Sequence, residues 1–311
     1  MTPSGILLMT YGSATTADGV AAYLRSVHQG REPSAGLVAE FERRYRLVRR
    51  SPLIDITLAQ AVALQDHLDQ RFGPGRFRVA AGMLHSEPGI EAAVDGLVRG
   101  GAREVLAITL APQFSPVILA GYTRTLERIA GQRRLAIRMA GAWHREPALI
   151  ASLSGRLRSE LEAMPAELRA TVPIVFTAHS LPLAVVERDP DYLGQLTDTA
   201  EAVAAGLRLP PERWEFAYQS AGHSPEPWLK PDLVDLLPGL RAHGHRHVLI
   251  APLQFVADHL EILYDLDIAA REQAEAQGLR YHRMAMPNAS ADFVGALADV
   301  VAREVAQPVA H

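Results

Sequence analysis

The 311-residue chain contains no cysteine. That absence removes disulfides, thiolate zinc sites, cysteine nucleophiles and cysteine-ligated iron–sulfur clusters together. An excess of either charge is missing too. Lys and Arg number 31 against 35 Asp and Glu, a net charge of −4, so the basic face that nucleic acid requires is not expected. No apolar run approaches the roughly 18 residues needed to span a bilayer. The start, "MTPSGILLMTYG", has neither the basic flank nor the cleavable apolar core of a secretory signal. A cytoplasmic protein without a transmembrane segment is therefore expected.

What is present is a series of short apolar runs, at 5–11, 77–83, 104–110, 135–141, 173–178, 215–219, 247–253 and 280–286. Most are continuous rather than alternating, which suits strands covered on both faces. Amphipathic helical stretches separate them, so the pattern predicts an α/β protein with parallel sheets. "GGAREVLAITLAPQF" (100–114) and "HGHRHVLIAPLQF" (243–255) repeat one pattern, each on the third strand of a four-strand set. Two similar Rossmann-like domains follow, at 1–150 and 151–311, each a four-stranded parallel sheet flanked by helices. Ligands of such sheets bind beyond the carboxyl ends of the strands. The post-strand segments hold no G-x-G-x-x-G, and neither a G-x-x-x-x-G-K-[ST] cradle nor a G-x-S-x-G elbow occurs. Histidines, carboxylates, aromatics and prolines stand there instead, a set that suits a cation and a flat apolar ligand.

His179 closes the strand in "VPIVFTAHSLP". Taken alone it reads as a structural histidine bound to a backbone carbonyl. In "PLQFVADHLEILYDLDIAA" (252–270), Asp258, Glu261 and Asp265 fall within an arc of roughly 60° on an ideal helix. Two readings stay open here. Asp258 and Glu261 have the spacing of a capping box, with Asp265 solvated, or the acids form a ligand face. His179 and Glu261, on the same sheet edge, are expected to face each other across one crevice. An imidazole opposite a carboxylate there suits weak holding of a divalent metal or acceptance of a proton from a substrate N–H.

"LLMTYGS", "FERRYRLVRRSPL", "GMLHSEP", "AHSLP", "QSAGHSPEPWLKPDL" and "FVADHLEILYDLD" resemble, in order and at family spacing, the signature segments of ferrochelatases, most closely the short bacterial forms that use coproporphyrin III. The resemblance implies two chelatase-type halves around a porphyrin cleft and insertion of Fe²⁺, as a substrate, into coproporphyrin III or protoporphyrin IX by a monomer. It implies His179 and Glu261 as catalytic and metal-handling residues, with Asp265 the next acid on the metal or proton route. Ala269 stands where a further acid often follows. Tyr11 matches the axial position, and His28, Arg44, Tyr45, Ser51 and Tyr122 match positions that meet the propionates. His28 replaces a common arginine. The loop "VRRSPL" is one residue short, and its Arg49 and Arg50 are read either as new carboxylate ligands or as a solvated basic turn. The alternatives carried forward are a chelatase for another tetrapyrrole or metal, a haem carrier, and a binding protein for an apolar ligand.

Overall fold

A computed structural model describes residues 2–222 and 226–306, so part of the "QSAGHSPEPW" segment lies outside the described residues. The expected strands form two four-stranded sheets. In the first, β1 (Ser4–Thr10), β2 (Phe77–Met83), β3 (Glu104–Thr109) and β4 (Ala136–Met139) take the order β2-β1-β3-β4. In the second, β5 (Ile174–His179), β6 (Trp214–Gln219), β7 (His247–Pro252) and β8 (Arg280–Arg283) take the order β6-β5-β7-β8. Every pairing is parallel. The two orders are the same when each label advances by four, as expected of the repeat on β3 and β7.

Helices of the first half are α1 (Val20–Val27), α2 (Ala35–Val48), α3 (Leu53–Phe72), α4 (Ile90–Arg99) and α5 (Ala120–Arg133). They are followed by α6 (Pro147–Glu162), α7 (Ala166–Thr171), α8 (Leu183–Val186), α9 (Asp191–Leu207), α10 (Leu233–Ala242), α11 (Arg271–Ala276) and α12 (Ala291–Ala306). Because helices cover both faces, β1 buries Ile6, Leu7, Leu8 and Met9 completely, which explains its unbroken apolar run. The division expected at 150/151 falls within α6. One core joins Ile6, Leu8 and Leu106 of the first sheet to Ile174, Phe176 and Leu249 of the second. Helix α12 lies against both α3 and α6. It is apolar nearly all round, with Phe293, Val294, Leu297, Val300 and Val301 buried, as expected of a helix enclosed by others.

The segment after β7 departs from the expected helix. Asp258 precedes the helix rather than opening it, and Glu261–Ala270 is a π-helix that runs into α11. Asp258 does not cap. Its backbone N–H donates to Asn288 Oδ1 at 2.8 Å, and its carboxylate accepts from Asn288 Nδ2 at 2.7 Å and lies 3.4 Å from Arg283. The capping box is therefore excluded, and the ideal-helix arc does not describe this wider turn. Isolated π turns inside helices are frequent at functional sites.

Candidate active site

The site forms where loops leave the carboxyl ends of β1, β2, β5 and β7. His179 ends β5 and remains paired to Gln219 of β6. Its Nδ1 lies against the carbonyl of Ser180. A carbonyl only accepts, so Nδ1 carries the proton and Nε2 faces outward. His259 repeats this arrangement, its Nδ1 donating to the Ala257 carbonyl at 3.0 Å. Both Nε2 atoms meet the same oxygen, Glu261 Oε2, at 3.7 Å from His179 and 3.4 Å from His259. His179 and Glu261 thus do not face each other across a crevice. They touch, on one wall, as two members of a three-residue cluster.

The cluster is charged. Burial alone would raise the Glu261 carboxyl, but the imidazoles of His179 and His259, together with Arg44, outweigh it and hold the group down at about 2. Burial would lower His259, yet its contact with Glu261 raises it above the ordinary histidine value, with help from the Ala257 carbonyl and Asp265. At His259, whose Nδ1 already donates to a carbonyl, the raised proton affinity places a second proton on Nε2, facing Glu261 Oε2. Glu261 is therefore a carboxylate paired with imidazolium, 40% exposed at its side chain while His259 is 13% exposed.

Asp265 follows on the π-helix and is not solvated. Its side chain is 14% exposed and lies 3.5 Å from Arg44 of α2. Burial pushes its carboxyl up, opposed by Ser220, Arg44 and His179 and reinforced by Glu261. Arg44 also donates to Glu40 at 2.8 Å and sits over the rings of Tyr264 and Phe41. It thereby ties α2 to the π-helix. Arg43 adds a hydrogen bond to the Tyr264 hydroxyl.

The other wall belongs to the first half. Tyr11 is 45% exposed. Burial of its ring, and then the charge of Glu261, raise its phenol. Its ring packs edge-on against His85, with centroids 4.5 Å apart. Gly12 turns the chain at φ +93°, where an added Cβ would come within 2.7 Å of Ser86 Oγ, so glycine is required. Ser86 then clasps Ser13 by accepting from its N–H and donating to its carbonyl, both at 2.9 Å. Tyr45 and Ser51 are brought together, but on a buried network. Ser13 Oγ lies 2.7 Å from Tyr45 Oη and 2.9 Å from Ser51 Oγ. Burial pushes the Tyr45 phenol up to about 12. Tyr122 is 7% exposed, and burial, followed by the nearby Tyr11, raises its phenol strongly. His28 follows α1, half-buried. Arg50 pairs with Asp55 at 2.5 Å, whereas Arg49, exposed at φ +67°, pairs with no described residue.

Two residues near Glu261 were not legible as members of the site. His259 stands two residues before Glu261 in the sequence, and its burial gave no signal. Tyr23, on α1, has its phenol raised well above the ordinary value by burial and then by Glu261, which puts it within electrostatic reach of the carboxylate. Tyr23 also lines a cavity of about 510 Å³, together with Ser13, Ser26, His85, Ser86 and Arg128. None of His179, His259 and Glu261 lines that cavity. Leu119, in the segment after β3, is core, packed among Leu7, Met9 and Ile129.

A model of the ferrochelatase family matches residues 3–305. The chain is 36% identical over 308 residues to a ferrochelatase of Deinococcus radiodurans, covering 98% of this chain and 97% of that protein. It is 34% identical over 309 residues to a coproporphyrin III ferrochelatase of Halalkalibacterium halodurans, covering 97% of each. Among solved structures, SirB from Bacillus subtilis with Fe³⁺ superposes with a TM-score of 0.61 over 98% of this chain and 96% of that one, at 12% identity. CbiX, described as the terminal enzyme for biosynthesis of sirohaem in denitrifying bacteria, gives 0.55 over 98% and 100%, at 14% identity. Those two likenesses speak for the fold alone. Two duplicated parallel sheets, the signature segments in order and relatives matched from end to end place this chain in the ferrochelatase family.

Proposed function

We propose that this protein inserts Fe²⁺ into a porphyrin, with coproporphyrin III as the preferred substrate. One observation carries the reading: an ionised carboxylate, Glu261, held between two imidazoles on one wall, within electrostatic reach of a half-exposed phenol, Tyr11, on the other. The reaction exchanges two pyrrole protons for one divalent ion, so charge balances and two protons must leave. His179, with Nδ1 committed to the Ser180 carbonyl, has only Nε2 available to take a pyrrole proton. Glu261 beside it stabilises the imidazolium formed and attracts the incoming cation. A carboxyl held at about 2 remains an anion throughout, which suits guiding a metal better than accepting a proton. Asp265 and Arg44 lie on the approach to Glu261. Tyr11 meets the ring from the opposite face.

Substrate choice turns on carboxylates, four on coproporphyrin and two on protoporphyrin. Arg44, Tyr45 and Ser51 are engaged in internal bonds. The cationic work at the mouth therefore falls to Arg49, with His28 as a polar contact and Tyr45, Ser51 and Tyr122 shaping the pocket behind them. Mixing the protein with coproporphyrin III or protoporphyrin IX and Fe²⁺ under anaerobic conditions, then following the porphyrin absorption bands, tests the proposal. Loss of the free-base spectrum with coproporphyrin III is expected. Absence of metal insertion into either porphyrin would refute the activity. Preference for protoporphyrin IX would refute the assignment of substrate. The proposal includes a cytoplasmic location and a monomeric state.

A further inference from the structure

The main-chain ladder between β5 and β7 ends at Thr177, paired with Pro252, with one further bond from Leu253 N–H to the Thr177 carbonyl at 3.0 Å. His179 lies two residues beyond. It keeps its neighbour on β6 but has lost main-chain support from β7. A side chain replaces that support: Gln254 Oε1 accepts from the His179 backbone N–H at 2.7 Å. The same amide donates through Nε2 to the hydroxyl of Tyr192 on α9, a ring only 3% exposed. The next residue, Phe255, stands against both imidazoles. Its ring meets His259 at 4.4 Å and 74°, and His179 at 6.2 Å and 82° between centroids and planes. Edge-to-face rings of this kind resist rotation and gain from the complementary charge of ring edge and face.

We propose that Gln254 and Phe255 are positioning residues that set the orientation of the two imidazoles on Glu261. The proposal deepens the reading of the site as a metal-insertion centre and rests on it. Gln254 fixes the main chain that carries His179 by joining it to a buried, anchored phenol. Phe255 fixes the rings. With Nδ1 of each imidazole already tied to a carbonyl, the wedge leaves both Nε2 atoms aimed at Glu261.

The first copy of the repeat shows that a Gln-Phe pair does not do this merely by following a third strand. Gln113 Nε2 donates to Thr199 Oγ1 at 3.1 Å. Phe114 exchanges backbone bonds with the Gln195 amide, at 2.7 and 2.8 Å. Both contacts run to α9, and neither reaches Tyr11.

The test is steady-state insertion of Zn²⁺ and Fe²⁺ into coproporphyrin III across pH, with thermal midpoints recorded for every variant. Gln254→Leu removes both amide bonds, Gln254→Glu restores an acceptor for the His179 N–H, and Phe255→Leu removes the wedge. Gln254→Leu and Phe255→Leu are expected to lower kcat about 10-fold, as loss of groups that orient metal-site histidines does. Porphyrin KM should stay unchanged and the pH–rate profile should move. Gln254→Glu should recover most of kcat. An activity-independent readout is the ¹⁵N-detected titration of the His259 ring, expected to shift in Phe255→Leu. If the native chain inserts metal while Gln254→Leu and Phe255→Leu keep its kcat and pH profile, the positioning role is overturned. The same follows if they lower only the thermal midpoint. A native chain that inserts no metal overturns the site reading instead. Should Gln254→Leu fail to fold, Tyr192→Phe frees the outer end of the amide, and an unchanged pH profile in that variant also overturns the role.

Discussion

The two copies of the repeat, 100–114 and 243–255, share a strand position and a terminal Gln-Phe but do different physical work. In the first, the pair binds the two halves together through α9. In the second, it braces imidazoles beside a carboxylate. The walls differ in the same sense. The first half contributes phenols and hydroxyls, with Tyr11, Tyr23, Tyr45 and Tyr122 all raised by burial. The second contributes imidazoles and acids. One scaffold occurs twice, and its post-strand edges carry mainly phenols and hydroxyls in the first half and imidazoles and acids in the second. A ring that must lose protons and gain a cation needs both.

The contrast can be broken most severely at Glu261. Glu261→Gln should lower metal insertion by about 10²–10⁴-fold, the range for impaired general-base catalysis, here by His179, whose imidazolium Glu261 stabilises, while porphyrin binding followed by fluorescence survives. The same variant should let the His259 ring fall back towards the ordinary value, which NMR titration reads. Next is the first copy. Gln113→Leu leaves the Thr199 hydroxyl without that partner and should cost about 1–3 kcal/mol in denaturant unfolding. Its kcat and pH profile should stay native, the reverse of the result expected for Gln254→Leu. At the turn after β1, Gly12→Ala forces a side chain into positive φ and against Ser86, costing about 1–3 kcal/mol. It should also weaken porphyrin binding, because Tyr11 moves with the turn.

The smallest effect lies at the opposite edge of the second sheet. His247 Nδ1 and His282 Nε2 are 3.0 Å apart. Burial lowers both rings, assisted by Arg280 for His247, and by His247, Arg280 and Arg271 for His282. Folding therefore favours the neutral forms. Their contribution is present above the unfolded histidine value, about 6.5, and is lost as pH falls below it, because the unfolded chain then binds more protons. His247→Gln should flatten the difference between denaturant midpoints measured at pH 7.5 and pH 5.5. An unflattened difference would remove this pair from the acid response.

Much of this architecture was legible because strands enclosed on both faces leave unbroken apolar runs, and a duplicated sheet leaves a duplicated sequence. The site was legible only in part. His179 and Glu261 could be placed on one edge, but not in contact, since the chain after β7 winds as a π-helix and carries Glu261 onto the wall that holds His179. Asp258 had the spacing of a cap, and only the fold brings Asn288 and Arg283 to claim it. Arg44 and Tyr45 were matched to substrate contacts, yet side-chain partners more than 200 and about 30 residues away, Asp265 and Ser13, engage them. No local pattern reports such distant partners.

The single core shared by both sheets has a mechanical corollary. Ile6 and Phe176 lie in one close-packed interior with α12, and prying the halves apart would expose that interior to water at a prohibitive cost. A planar guest is therefore admitted without any jaw-like rotation of the lobes. Helices α1 and α2 rest instead on a separate, minor cluster around Val20, Leu24 and Leu260. Arg43 and Arg44 grip Tyr264 from this segment, so loosening it would cost those contacts and leave the main core intact.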